Sequence, residues 1–159
     1  MSGPASFGVS LGHRDLAEAD QWIASLDPRP QTACTHLVRE PFPHVAITLT
    51  TTHRVTSPPH LARAAGLATA DPRGRAVIFA GVDRLTGTLT VAEVLACSAI
   101  DGVEILGGGA ASPDTEVDTH DFVRPQWRDG RLILTVTPAA GGRVVPFESR
   151  HPTPCCPAH

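Results

Sequence analysis

The 159-residue chain has no lysine, no asparagine and no tyrosine, and only 4% of it is aromatic. Each absence removes a class of chemistry. Without lysine there is no Schiff-base nucleophile, no covalent pyridoxal phosphate site and no P-loop of the usual kind. Without asparagine there is no acceptor for N-glycosylation. The positive charge rests on 13 arginines scattered along the chain, and no basic run or basic-aromatic stripe occurs, so the footprint of a nucleic-acid binder is missing. No apolar window is long enough to span a bilayer, and Met1-Ser-Gly-Pro-Ala-Ser-Phe7 lacks a positive segment followed by an apolar one. The expectation is a cytoplasmic protein without a membrane partner.

What is present points to one ordinary domain. A chain of this length buries a conventional core without metal or disulfides, and a formal net charge of -3 adds no strong field. Frequent arginine, alanine and proline follow the codon usage of GC-rich bacterial genomes. Four cysteines in a reducing compartment read as thiols or metal ligands rather than as a disulfide framework.

Periodicity predicts the elements. Asp15 with Glu18 resembles a capping box ahead of Leu16, Ala19, Ile23 and Leu26 at helical spacing, and Pro28 and Pro30 end that helix. The segment from Asp27 to Pro43 reads as a proline-rich loop. Val45 to Thr52 alternates apolar and hydroxyl side chains as a half-buried strand does. Ser57-Pro58 opens a short helix, Ala76 to Ala80 is a strand covered on both faces, and Thr90 with Glu93 caps a third helix. Val103 to Leu106 is a strand, Gly107 to Asp121 a long loop, and the remainder a meander turning at Asp129-Gly130 and Gly141-Gly142. The predicted fold is a single α+β domain over residues 1–149, with an antiparallel or mixed sheet of about five to six strands and two or three helices on one face. Residues 150–159 form a separate Cys/His-rich tail.

That tail, His151-Pro-Thr-Pro-Cys155-Cys156-Pro-Ala-His159, holds two thiols and two imidazoles within nine residues. Soft sulfur and borderline nitrogen donors suit zinc first, with copper(I) and iron as alternatives. Adjacent side chains of an extended segment point to opposite sides, so a more relaxed site takes one or both of Cys155 and Cys156, one of His151 and His159, and the pair Cys34 and His36. The expected function is therefore metal binding, with a small metalloenzyme as its extension. The alternative is a thiol-redox or interaction module whose tail a protein partner recognises.

Other motifs are less specific. Asp118-Thr-His120-Asp121 sets carboxylates beside an imidazole, so His120, Asp118 and the more distant Glu148 are candidate proton-transfer groups. Cys97 falls inside a helix and reads as core. Gly107-Gly108-Gly109 lacks both a following helical pattern and a lysine, and reads as a flexible loop rather than an anion site. His44 and His53 are expected at opposite ends of one strand. No Gly-x-Ser-x-Gly nucleophile elbow occurs.

Overall fold

The computed structural model describes residues 3–150, and among them it contains three α-helices and eleven strands. The strands are β1 (Ala5–His13), β2 (Thr32–Val38), β3 (His44–Thr51), β4 (Arg75–Ile78), β5 (Thr88–Thr90), β6 (Gly102–Ile105), β7 (Gly109–Ala110), β8 (Glu116–Asp118), β9 (Gln126–Arg128), β10 (Arg131–Pro138) and β11 (Val144–Pro146). The helices are α1 (Leu16–Ala24), α2 (Ala62–Ala70) and α3 (Val91–Cys97). One mixed sheet runs β1-β3-β2-β4-β9-β10-β11-β8-β5, with β6 beside β10 and β7 beyond β6. Only β6 with β10 and β8 with β11 pair in parallel.

The α+β class stands, but eleven strands replace the five or six expected. The N-terminal leader is β1, the proline-rich loop contains β2, and the glycine-rich and acidic loop contains β7 and β8. These segments are strands because their partners make them so. β2 lies between β3 and β4, and its central residues pair on both edges, which satisfies backbone groups that a surface loop leaves to water.

The helices do not share one face. Alternate residues of a strand point to opposite sides. Val45, Ile47 and Leu49 of β3 pack with Ala19 and Ile23 of α1. Ala46 packs with Ala64 and Ala68 of α2. The sheet is therefore sandwiched between α1 and α2 along its N-terminal half. α2 rests directly on β1 at Gly8, where an added Cβ would lie 2.1 Å from the Ala65 carbonyl oxygen and 2.4 Å from Thr69 Oγ1. A third group of apolar side chains, including Val94, Val117, Leu132 and Val136, fills the C-terminal half.

Helix starts follow the local chemistry. Thr90 and Glu93 form the complete reciprocal capping box of α3. At α1 only half of the predicted box forms: Asp15 accepts from the Glu18 amide at 2.9 Å, while the Glu18 carboxylate turns to Arg14 at 3.1 Å.

The arrangement around β10 shapes the molecule. Ile133 pairs with Gln126 of β9 and Gly102 of β6, so β9 and β6 occupy opposite edges. Val136 likewise pairs with Pro146 of β11 and Ile105 of β6. β9 and β11 therefore follow one another along the same edge of β10. The exchange takes place at Leu134, since beyond β11 the Phe147 amide still donates to the Thr135 carbonyl at 2.9 Å, and α1 passes nearby on the sheet face that carries Arg75.

Candidate functional site

The exchange of partners on β10 opens a cleft of about 1300 Å³, lined by residues from α1, β10 and the segment Pro146–Arg150. Its walls include Leu16, Leu106, Pro146 and Phe147, and two of these are unusually uncovered for large apolar side chains: Leu106 is 55% exposed and Phe147 61%. Apolar walls around a few convergent polar groups are the usual make-up of a small-molecule site.

Among the polar groups that line the cleft, Asp20, Arg75, Arg124 and Glu148 bind one another in a cluster. Arg75 is buried at the β4 end of the sheet, its side chain directed to the α1 face together with Thr35. Nε donates to Glu148 at 2.8 Å, Nη1 to Asp20 at 2.8 Å and to Thr35 Oγ1 at 3.2 Å, and Nη2 to Asp20 at 3.0 Å and to Glu148. All five N–H bonds of Arg75 are thereby used. Burial works against its charge, but the hydrogen bonds it donates to Glu148 and Asp20, with the attraction of their charges, outweigh burial and raise its pKa above the ordinary arginine value. Arg75 is a cross-link and has nothing left to offer a ligand.

Arg124 differs. Its Nε donates to Asp20 Oδ2 at 3.1 Å and Nη1 to the Val123 carbonyl at 3.2 Å, whereas Nη2 has no hydrogen-bond partner among the described residues. That nitrogen is not sealed away, since the only buried side-chain nitrogen or oxygen lacking a partner among the described residues is His13 Nδ1. The guanidinium is held over the Phe122 ring at 4.1 Å, with the Arg150 guanidinium at 5.4 Å from the same ring. Desolvation, with repulsion from Arg75, lowers the Arg124 pKa although Asp20 opposes the shift.

Of the candidates read from the sequence, Glu148 alone belongs to this cluster, and it is bound to Arg75. His120 and Asp118 do form a pair, 3.4 Å apart, but both are well exposed at a turn where His120 and Asp121 have positive φ. Cys34 and His36 share the opposite face of β2 from Thr35. His36 is buried, with Nδ1 at 3.0 Å from Asp71 and Nε2 at 2.9 Å from Thr48 Oγ1, so both ring nitrogens are engaged. Burial pushes the Cys34 thiol up to about 11 despite hydrogen bonds to Trp127 and Thr48. Among the described residues no three His, Cys, Asp or Glu side chains converge as a metal site. His151, Cys155, Cys156 and His159 lie outside the described residues.

Other polar contacts hold the fold. Ser10 Oγ lies 2.7 Å from His44 Nε2, and His44 Nδ1 lies 2.7 Å from the Phe42 carbonyl. This resembles a nucleophile and base, yet Ser10 and His44 are 1% and 3% exposed, and neither lines the cleft. Their contact fixes the irregularity between Val9 and His13 where β1 shifts register against β3. Cys97 is half-buried against the C-terminal core. His44 opens β3 and His53 lies beyond its end, as the strand reading expects.

Asp20, Arg75 and Arg124 are the charged cleft-lining residues that sequence reasoning missed. The available signal was Arg75, a charge placed against an apolar run suited to a fully covered strand. Its partners could not be read locally, because Asp20 and Glu148 lie 55 and 73 positions away.

Comparison with known protein families, curated proteins and solved structures returns no match. No helix among the described residues is long and apolar enough to cross a membrane.

Proposed function

We propose that this protein binds a small organic molecule with an apolar body in the cleft beside β10. One observation carries the reading: a cavity of about 1300 Å³ has exposed Leu106 and Phe147 at its walls and a fully hydrogen-bonded arginine-carboxylate cluster among its lining residues. Rigid polar cross-links keep an opening from collapsing, and apolar walls supply the affinity. The test uses the neutral, solvatochromic dye Nile red. Its emission should rise and shift to the blue with native protein, and Leu106→Asp combined with Phe147→Asp should abolish the change. Both positions are more than half exposed, so the core is untouched. Equal dye response in the double variant would remove the cleft as the site.

A second reading rests on the tail. Two cysteines and two histidines within residues 151–159 supply a sulfur-nitrogen donor set suited to zinc or copper(I). Metal content of protein purified anaerobically without chelator tests it. Stoichiometric metal that disappears in the Cys155→Ser, Cys156→Ser variant supports this reading, and unchanged occupancy in that variant rejects this ligand set.

A further inference from the structure

We propose that the molecule held in the cleft carries a carboxylate head, anchored on Nη2 of Arg124. The assignment rests on the reading of the cleft as a ligand site and names the chemistry of its occupant.

The argument is one of unspent donors. Arg75, Asp20 and Glu148 satisfy one another, so ligand recognition by that trio would first require breaking a buried pair. Arg124 lines the same cleft with two of its three nitrogens committed and the third without a partner among the described residues. Its orientation is already set by Asp20 on one side and the Phe122 ring beneath it at 4.1 Å. An acceptor arriving at Nη2 therefore meets a guanidinium that has little freedom left to lose, which favours binding. Arg150, on the same ring, adds a second positive group close to the anchor.

The cluster also bears on the charge of the head group. Arg75 and Arg124 balance Asp20 and Glu148, two positive against two negative. An anion at Arg124 thus approaches a neutral group of four whose carboxylates are close by. A single negative charge gains the charge-assisted hydrogen bond at Nη2. A phosphate dianion meets the same donor but pays more repulsion from Asp20 and Glu148. The apolar walls at Leu106, Pro146 and Phe147 then take the remainder of the molecule.

The experiment displaces Nile red from the native protein with decanoate and, separately, with its uncharged analogue methyl decanoate. Decanoate should act at a concentration about tenfold lower, the factor expected of one charge-assisted hydrogen bond. Arg124→Gln should bring the two to equal potency while the dye still binds. Arg124→Lys, which keeps the charge but removes the guanidinium, provides a second variant and should recover only part of the preference. Equal displacement in native protein overturns the assignment while leaving the cleft as a site. So does a preference that survives in Arg124→Gln, or stronger displacement by decyl phosphate than by decanoate. Failure of Nile red to bind native protein overturns the cleft reading and the head-group assignment together.

Discussion

Arg75 and Glu148 stand 73 positions apart in the sequence, and their side chains meet in a two-point ion pair that ties β4 to the segment following β11. Both members of the pair line the cleft. Asp20 extends it to α1, so three separate parts of the chain are held by one guanidinium.

Removing that guanidinium leaves Glu148 without its partner and Asp20 with Arg124 alone. Arg75→Met should destabilise the protein by about 3 kcal/mol, the usual cost of breaking a buried pair from one side. Arg75→Lys should recover only part of this, because an ammonium cannot reproduce the fork on Asp20 and Glu148. Urea denaturation of the three proteins checks the order. A loss below about 0.5 kcal/mol in Arg75→Met would show that water already screens the cluster.

Gly8 marks the closest approach of α2 to the sheet. Gly8→Val should lower stability by about 3 kcal/mol, since the backbone of α2 at Ala65 has to withdraw. Gly66→Ala on the same helix meets nothing within 4 Å and should be neutral or stabilising by up to about 1 kcal/mol. Opposite signs in a thermal melt confirm the contact, and a neutral Gly8→Val refutes it.

His13 predicts a pH dependence of stability. Burial lowers its pKa, with Glu18 opposing and His44 reinforcing the shift. The unfolded chain therefore takes up a proton at higher pH than the folded one. Stability contributed by neutral His13 is complete above its unfolded value of about 6.5 and is lost as pH falls through the lower folded value. Ser10, His44 and Trp22 surround this end of β1, and Glu18 is the nearby acid. The Tm should fall from pH 7.5 to 5.5, and His13→Gln should flatten that slope. An identical slope in the variant would assign the effect to other groups.

Cys34 should be slow to alkylate. With its thiol pushed up to about 11 by burial, little thiolate is present at neutral pH. Iodoacetamide followed by peptide mass spectrometry should find Cys34 unmodified in folded protein at pH 7.5 and modified in urea. Rapid labelling in the folded state would contradict the packing between β2 and Trp127.

Local signals carried the sequence reading where an element was self-sufficient. The capping box at Thr90 and Glu93 needs only its own turn, and alternation alone marks β3 as a strand, although α1 and α2 cover both of its faces where one solvated face was expected. β1 shows the opposite case. Phe7, Val9 and Leu11 do alternate and do pack with the α1 core, but Gly8 among them and Gly12 just after them make the segment read as a loose leader. Gly8 is small because α2 lies on it, which is a tertiary reason. β2 was hidden by the prolines on either side, although Pro28, Pro30, Pro41 and Pro43 all fall outside the strand itself. The charged cluster of the cleft was the least legible part: Asp20 and Arg124 are 104 positions apart, and no spacing rule connects a helix residue to an arginine at that distance. Glu148 was read as a candidate acid or base, and in the fold it accepts from Nε and Nη2 of Arg75.

The handover from β9 to β11 along one edge of β10 makes the cavity a matter of connectivity rather than of side-chain size. Two short strands share a length that one long strand would otherwise fill, and the Arg75 cross-link to α1 stands beside that handover. Substitution at the uncovered Leu106 or Phe147 should therefore change the lining of the cavity while every backbone ladder stays in place. On the proposed ligand reading, frame and specificity are then separately adjustable.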